Sequence, residues 1–449
     1  MKKYFRLNNN TIAYCDKKMI NQSVKALWNS FCMTDGNIDI KEGENFTFRI
    51  GESNVPSLPD GCEYALSVTE KGVGISGNDF GGLMRGYFSL LMKIEALDSG
   101  FGIAEAEEIG KYKIKNRMIH ICVFPENDLY FIKKLIRLAG LCQYTHIVIE
   151  FWGMLEFDCM KELSWQHAFT KQEARELITI AREMGMEPIP MSNQLGHATA
   201  ARLKYGKHVV LDQNPRLYRL FTPDGWAWNI FDSEVKDLLR NIRAELYEVF
   251  GHGEYFHIGC DEAYYYSRHE EINKRLPEYL KYLTEAVESE GRRPMLWMDM
   301  MLSGAKYDAA FYTSSKYGGE IEMINALSKN TVMVDWQYNI KTAPIPSTVD
   351  LAIHGYDLIG APWYNPDNYK AHVKTVADNK LFGVMLTTWH TLKDYMPSIL
   401  GCAKEMGAVS HVWSEYSGLH EECATLLRRV SFEGNTYTDS GWSKEQIEI

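Results

Sequence analysis

From Arg117 onward, short apolar stretches alternate with longer stretches of helical period, and eight such units follow one another. Met118 to Val123, Thr145 to Phe151, Glu187 to Met191, Tyr255 to Gly259, Arg293 to Met298, Thr331 to Trp336, Asp357 to Pro362 and Phe382 to Thr388 read as strands. A strand that is apolar on both faces belongs in a parallel sheet covered on both sides. The segments between carry amphipathic stripes. In Leu129 to Leu141, for example, Phe131, Ile132, Leu135, Ile136 and Ala139 share one face. Lys171 to Met184, Phe231 to Phe250 and Pro277 to Glu290 read as helices in the same way. The helix before the seventh strand is short, around Thr348 to His354. Eight strand–helix units predict an α/β fold, a (β/α)8 TIM-type barrel.

Residues 1–112 have a different texture and predict a small N-terminal α/β domain. Lys17 to Met33 and Phe80 to Ile94 have helical spacing, and Asp79 can cap the second of these. Asn45 to Ile50, Tyr64 to Val68 and Val73 to Ser76 read as strands. No chemistry-bearing cluster stands out here, so a packing role is expected. The barrel domain is expected over 113–430, with helices at 393–412 and 419–430 closing it, and a polar tail over 431–449. Residues 192–230 hold Gly, His, Asn-Pro and Trp and read as a loop-rich insertion on the active face.

The net charge is −11 with no long basic run, which argues against nucleic acid and an anionic membrane surface. The nine cysteines are scattered without a Cys-x-x-Cys pair, as expected for free thiols in a reducing compartment. No signal-peptide pattern and no long apolar span appears, so a cytoplasmic protein is expected.

The fourth strand ends in His257-Ile258-Gly259-Cys260-Asp261-Glu262. The Asp-Glu dipeptide alone says little, because composition supplies about two such pairs in a chain of this kind. Its place gives it meaning: strand exits at the C-terminal face carry the chemistry of such barrels. Trp336, Trp363 and Trp389 also sit at expected exits, of strands six, seven and eight. Each has core packing as its ordinary alternative, and His257 has a structural one.

These residues resemble family 20 glycoside hydrolases, the β-N-acetylhexosaminidases. His-Ile-Gly-x-Asp-Glu at 257–262 is similar to the family signature. Leu195-Gly196-His197, Leu296-Trp297-Met298-Asp299, Trp336-Gln337-Tyr338 and Trp389 resemble further motifs, as does the small domain through Gly81 to Gly86. Cys260 stands where Gly is common, Glu150-Phe151-Trp152 is a looser match, and Trp413-Ser414-Glu415-Tyr416 competes with Trp389 for the last motif. The resemblance implies substrate-assisted retention. Neighbours on a regular strand point to opposite faces and cannot straddle a glycosidic bond. The substrate's 2-acetamido oxygen would then attack the anomeric carbon and give an oxazolinium intermediate. Glu262 would be the general acid and base, and Asp261 would hold the acetamido N–H. The backbone must twist to bring both acids to one pocket, and Glu262 is expected to have a raised pKa.

In that picture His257 orients the site and His197 is among the substrate-binding residues. Trp297, Trp336, Trp363 and Trp389 wall the sugar pocket, Tyr338 holds the acetamido oxygen, and Arg117 grips vicinal hydroxyls. No metal or organic cofactor is implied. The expected partner is a small-molecule or oligosaccharide substrate with a terminal 2-acetamido sugar, and a homodimer is compatible with this. Two other readings stay open. One is a non-catalytic carbohydrate-binding barrel. The other is a metal-dependent hydrolase drawing on His120, His252, His257, Asp261 and Glu262, although no His-x-His or His-Glu-x-x-His spacing is present.

Overall fold

The structure is a computed structural model. It describes residues 3–8, 11–32, 38–151, 153–198, 214–304, 306–307, 319–389, 392–408 and 418–431. Trp152, Trp413 and the tail from 432 lie outside these ranges.

The N-terminal unit contributes β1 (Tyr4–Arg6), β2 (Thr11–Cys15), β3 (Ile38–Glu42), β4 (Thr47–Gly51), β5 (Tyr64–Thr69), β6 (Gly72–Gly77), β7 (Ile94–Ala96), β8 (Phe101–Ala104) and β9 (Ala106–Gly110). Six of these form one sheet in the order β3-β2-β4-β6-β5-β9, and β1-β8-β7 form a second. The expected helix from Lys17 is broken. A 3-10 turn at Lys17–Met19 precedes the helix Gln22–Cys32, because the Asn21 side chain takes the Val24 N–H at 2.9 Å and starts the helix afresh. The helix Phe80–Leu91 does begin at an Asp79 cap, which accepts from the Gly82 N–H at 2.6 Å.

The barrel follows as β10 (Asn116–Cys122), β11 (His146–Glu150), β12 (Glu187–Met191), β13 (Tyr255–His257), β14 (Arg293–Trp297), β15 (Val332–Trp336), β16 (Asp357–Ala361) and β17 (Gly383–Leu386). All neighbours are parallel, and β10 pairs with β17 to close the ring. Two apolar layers hold it. Met118, Val148, Ile189, Met295, Val332, Ile359 and Met385 fill the lumen. Ile119, Ile121, Ile147, Ile149 and Leu296 point outward into the larger core shared with the helices. Fixed caps set the helix starts: Asp128 accepts from Phe131 N–H, and Thr170 with Glu173 makes a capping box. Several strand exits run into long connections before the next helix begins, as from Glu150 to Lys171 and from Met191 to Ser233, and the site is built from these exits and connections.

Arg117 does not serve the expected role. It lies at the N-terminal end of β10, at the opposite end of the barrel from Asp261. Its guanidinium forks onto Glu63 at 2.9 and 2.8 Å, and it also donates to the carbonyls of Gln143, Ile114 and Lys115. The side chain is fully buried. It joins the barrel floor to the N-terminal unit and has no reach toward a sugar.

Candidate active site

The strand expected over Tyr255 to Gly259 stops at His257. Gly259, Cys260 and Glu262 then take left-handed backbone, with φ of 66°, 78° and 48°. For the two that are not glycine this costs about 1–3 kcal/mol each. The twist that adjacent carboxyls need is therefore present. Both now face one imidazole: His197 Nε2 lies 3.4 Å from Asp261 Oδ2 and 3.1 Å from Glu262 Oε2.

His197 arrives on the loop after β12, and that loop is fitted tightly to the acid-bearing turn. A methyl on Gly196 would lie 1.8 Å from the Asp261 carbonyl oxygen, and one on Gly259 would lie 1.9 Å from Asn193 Oδ1. His197 itself has φ 50°. Trp226 packs on its ring at 4.6 Å between centroids and donates its indole N–H to the Glu262 carbonyl at 2.8 Å. The Glu262 N–H is held by Asp299 Oδ2 at 2.9 Å. Glu262 is thus pinned through its backbone from two sides.

Protonation in this cluster departs from the expectation. Burial alone would raise Glu262, but the hydrogen bond and charge of His197 outweigh it, and Glu262 sits below the usual carboxylate range. Asp261 is the acid pushed up, by burial and then by the Asp299, Glu262 and Glu150 carboxylates, with His197 opposing. Burial would lower His197, yet Asp261, Glu262 and Glu150 together raise it to about 9. The resting site is an imidazolium between two carboxyls.

The aromatic residues form one connected wall. Trp336 donates to Asp299 Oδ1 at 3.3 Å. Tyr338 lies 5.0 Å from Trp336 and 5.4 Å from Trp363, and its hydroxyl accepts from Trp389 Nε1 at 3.1 Å. Trp297 lies 6.2 Å from Trp389. His257 packs on Trp297 at 4.5 Å, and its Nδ1 accepts from the Gly259 N–H at 3.1 Å. Burial holds its pKa well below the ordinary value, so it is a neutral brace for the turn. Nine of the ten expected site residues therefore meet at this face, and Arg117 does not. Sequence reading names Glu150 only as part of a loose motif match and gives Trp226 and Asn193 no role. Trp226 carried a faint signal, as a Trp in the loop assigned to the active face. Among the described residues, no group of three or more His, Cys, Asp and Glu side chains is arranged to hold a metal ion.

A profile of the glycosyl hydrolase family 20 catalytic domain matches residues 150–429, more than half of the chain. The chain belongs to glycosyl hydrolase family 20. It is 26% identical over 170 residues to Hexosaminidase D of Bos taurus, which covers 34% of this chain and 46% of that protein. The chain thus spans about half the length of that relative. Among solved structures, an exo β-N-acetylglucosaminidase from Vibrio harveyi, in complex with N-acetylglucosamine, matches 96% of this chain and 75% of its own at 13% identity and TM-score 0.67. The β-N-acetylhexosaminidase of Bacteroides fragilis matches 92% and 90% at 16% identity and TM-score 0.67. That of Streptomyces coelicolor matches 96% and 93% at 14% identity and TM-score 0.65. At these identities the structures speak for the shared fold: a TIM barrel behind a small α/β unit.

Proposed function

We propose that this family 20 hydrolase is a retaining exo-β-N-acetylhexosaminidase, removing terminal β-linked N-acetylglucosamine or N-acetylgalactosamine with the substrate's own acetamido oxygen as nucleophile. The observation that carries the reading is the sharing of one imidazole nitrogen by both acids. It brings Asp261 and Glu262 to one imidazole, an arrangement that supports an acid beside a carboxylate that holds the acetamido group.

The same geometry supplies the protonation state. A His197 imidazolium beside a Glu262 carboxylate carries the same number of protons as a neutral His197 beside a protonated Glu262. Transfer of the Nε2 proton over 3.1 Å converts the first into the second without uptake from solvent. Glu262 then protonates the leaving oxygen as the glycosidic C–O bond breaks and the acetamido oxygen bonds to the anomeric carbon. The Asp261 anion takes the acetamido N–H and offsets the positive charge that develops on the oxazolinium ring. Water next attacks the anomeric carbon, Glu262 takes its proton, and the ring oxygen–carbon bond breaks. The wall of Trp297, Trp336, Trp363 and Trp389 holds the acetamido group in line. The names and complexes of the similar proteins, β-N-acetylhexosaminidases and one bound to N-acetylglucosamine, support the same sugar class.

The test is hydrolysis of an aryl β-N-acetylglucosaminide beside the aryl β-glucoside, with and without chelator. Cleavage of the first alone, unaffected by chelator, is expected. Equal cleavage of both would mean that the protein supplies its own nucleophile. All nine cysteines are free and eight are buried, which supports a cytoplasmic setting. Fractionation of the source cells with an antibody to the chain would check it.

A further inference from the structure

Two buried ionisable residues at this face have no part in the steps above. Along β10 and β11 the lumen-facing residues alternate. Met118 and Val148 belong to the apolar filling, and two residues further toward the C-terminal face stand His120 and Glu150. His120 is fully buried, and the Glu150 side chain is 3% exposed. Filling the barrel does not require them, since burying such a pair is often no better than burying apolar residues of similar volume. Their surroundings tie them to the sugar pocket. The His120 ring lies 4.8 Å from Trp389 and 5.9 Å from Trp297. Its Nε2 is 3.1 Å from Glu150 Oε2, while Glu150 Oε1 accepts from Asn193 Nδ2 at 2.6 Å. Glu150 is close enough to act on the charges of both Asp261 and His197.

Unsatisfied atoms mark the same spot. His120 Nδ1, His257 Nε2, Trp297 Nε1 and Asp261 Oδ1 are buried without a hydrogen-bond partner among the described residues. Buried polar groups are normally paired, and a set of unpaired donors and acceptors around one aromatic basket fits a ligand that carries hydroxyls.

We infer that His120 and Glu150, braced by Asn193, hold the ring hydroxyls of the terminal sugar remote from the scissile bond, the task that Arg117 cannot perform. The carboxylate accepts from a hydroxyl on lone pairs that His120 and Asn193 leave free, and His120 Nδ1 takes part from the side. This rests on the hexosaminidase reading and names the specificity-determining residues of that site.

The experiment pairs substrate and protein deletions. Aryl β-N-acetylglucosaminide and its 3-deoxy, 4-deoxy and 6-deoxy analogues are assayed with wild type, Glu150→Gln, His120→Asn and Asn193→Ala. Loss of a hydrogen bond to a charged partner is worth about 10–100-fold in kcat/KM. One deoxy analogue should fall by that amount in wild type. In Glu150→Gln the parent should drop to the level of that analogue, and the gap between the two should shrink to about threefold or less, since coupled partners are not additive. Asn193→Ala leaves both His120 and Glu150 in place and gives a milder form of the same collapse if Glu150→Gln folds poorly. A gap that persists unchanged in the Glu150 and His120 variants, or variants that slow all four substrates equally, would overturn the inference while leaving the activity intact. No cleavage of the parent by wild type would instead overturn the hexosaminidase reading on which it stands.

Discussion

Two partly buried histidines at opposite ends of the barrel have gone opposite ways. His146 begins β11 at the N-terminal face; burial, and then Arg85 and Arg117, push it down to about 3. His197 sits at the C-terminal face, where Asp261, Glu262 and Glu150 overcome burial and lift it to about 9. The ends differ in how their charges are spent. At the N-terminal face, Arg117 and Arg85 both pair with Glu63, beside a cleft of about 810 Å³ between the barrel and the N-terminal unit. That cleft has volume and polar walls, but its buried ions already answer each other. The C-terminal face holds carboxyls crowded on one imidazole, left-handed non-glycine backbone and unpaired polar atoms. Completed ion pairs hold a fold together, whereas incomplete ones in strained backbone await a ligand.

The contrast should break most sharply when one charge is removed from each end. Glu262→Gln is expected to lower kcat by about 10²–10⁴-fold on substrates with poor leaving groups. Its melting temperature should stay near that of wild type. Arg117→Ala should do the reverse. Removing one partner of a buried ion pair costs about 3–5 kcal/mol, read in urea unfolding, with kcat of the folded fraction unchanged. If Arg117→Ala kept its stability and lost sugar binding, the assignment of the two ends would be wrong.

A methyl at Gly196 should act next in size. It cannot fit 1.8 Å from the Asp261 carbonyl, so the loop carrying His197 must move off the acids. Misplacement near 1 Å costs about 10²-fold, and Gly196→Ala is expected to approach that loss in kcat/KM. A variant of wild-type rate would show that His197 need not be held there.

The smallest effects sharpen the comparison through pH. His197 is raised, so its contribution to stability is fully present below its ordinary 6.5 and is lost as pH climbs through about 9. His146 is lowered, so its contribution is present above 6.5 and fades as pH falls toward 3. Relative to wild type, His197→Asn should flatten the alkaline side of a plot of melting temperature against pH, and His146→Gln the acid side. His197→Asn also removes the proton that His197 hands to Glu262, so the descending limb of kcat/KM, set in wild type by loss of that shared proton near 9, should move to lower pH. Curves that coincide with wild type on both sides would remove the histidines from the account.

The barrel was legible because each of its strands is buried on both faces. Glu187–Met191 was placed to the residue, and Arg293–Trp297, Val332–Trp336 and Asp357–Ala361 to within one. The N-terminal sheet was half hidden. Ile38–Glu42 and Ala106–Gly110 lie at its edges and carry Asp39, Lys41, Glu107 and Glu108, which blur the apolar signal of a strand. Those charges suit an edge for the same reason that they obscure it. At the site, Asp261, Glu262, His197 and the tryptophans could be named because each sits at a strand exit or in a short motif.

Sequence by itself determined the barrel and the two acids: apolar runs, helical stripes and a strand ending on carboxyls are local facts, written within a few residues of each other. Tertiary structure alone decided what those charges do. Arg117 turned to Glu63, 54 positions away, and Glu150 to His120, 30 positions away. Glu262 fell below the usual carboxylate range where a raised value was expected, because His197 lies 3.1 Å off in space. Charge–charge energy depends on distance and on the dielectric between groups, and both are set only when the chain has closed on itself.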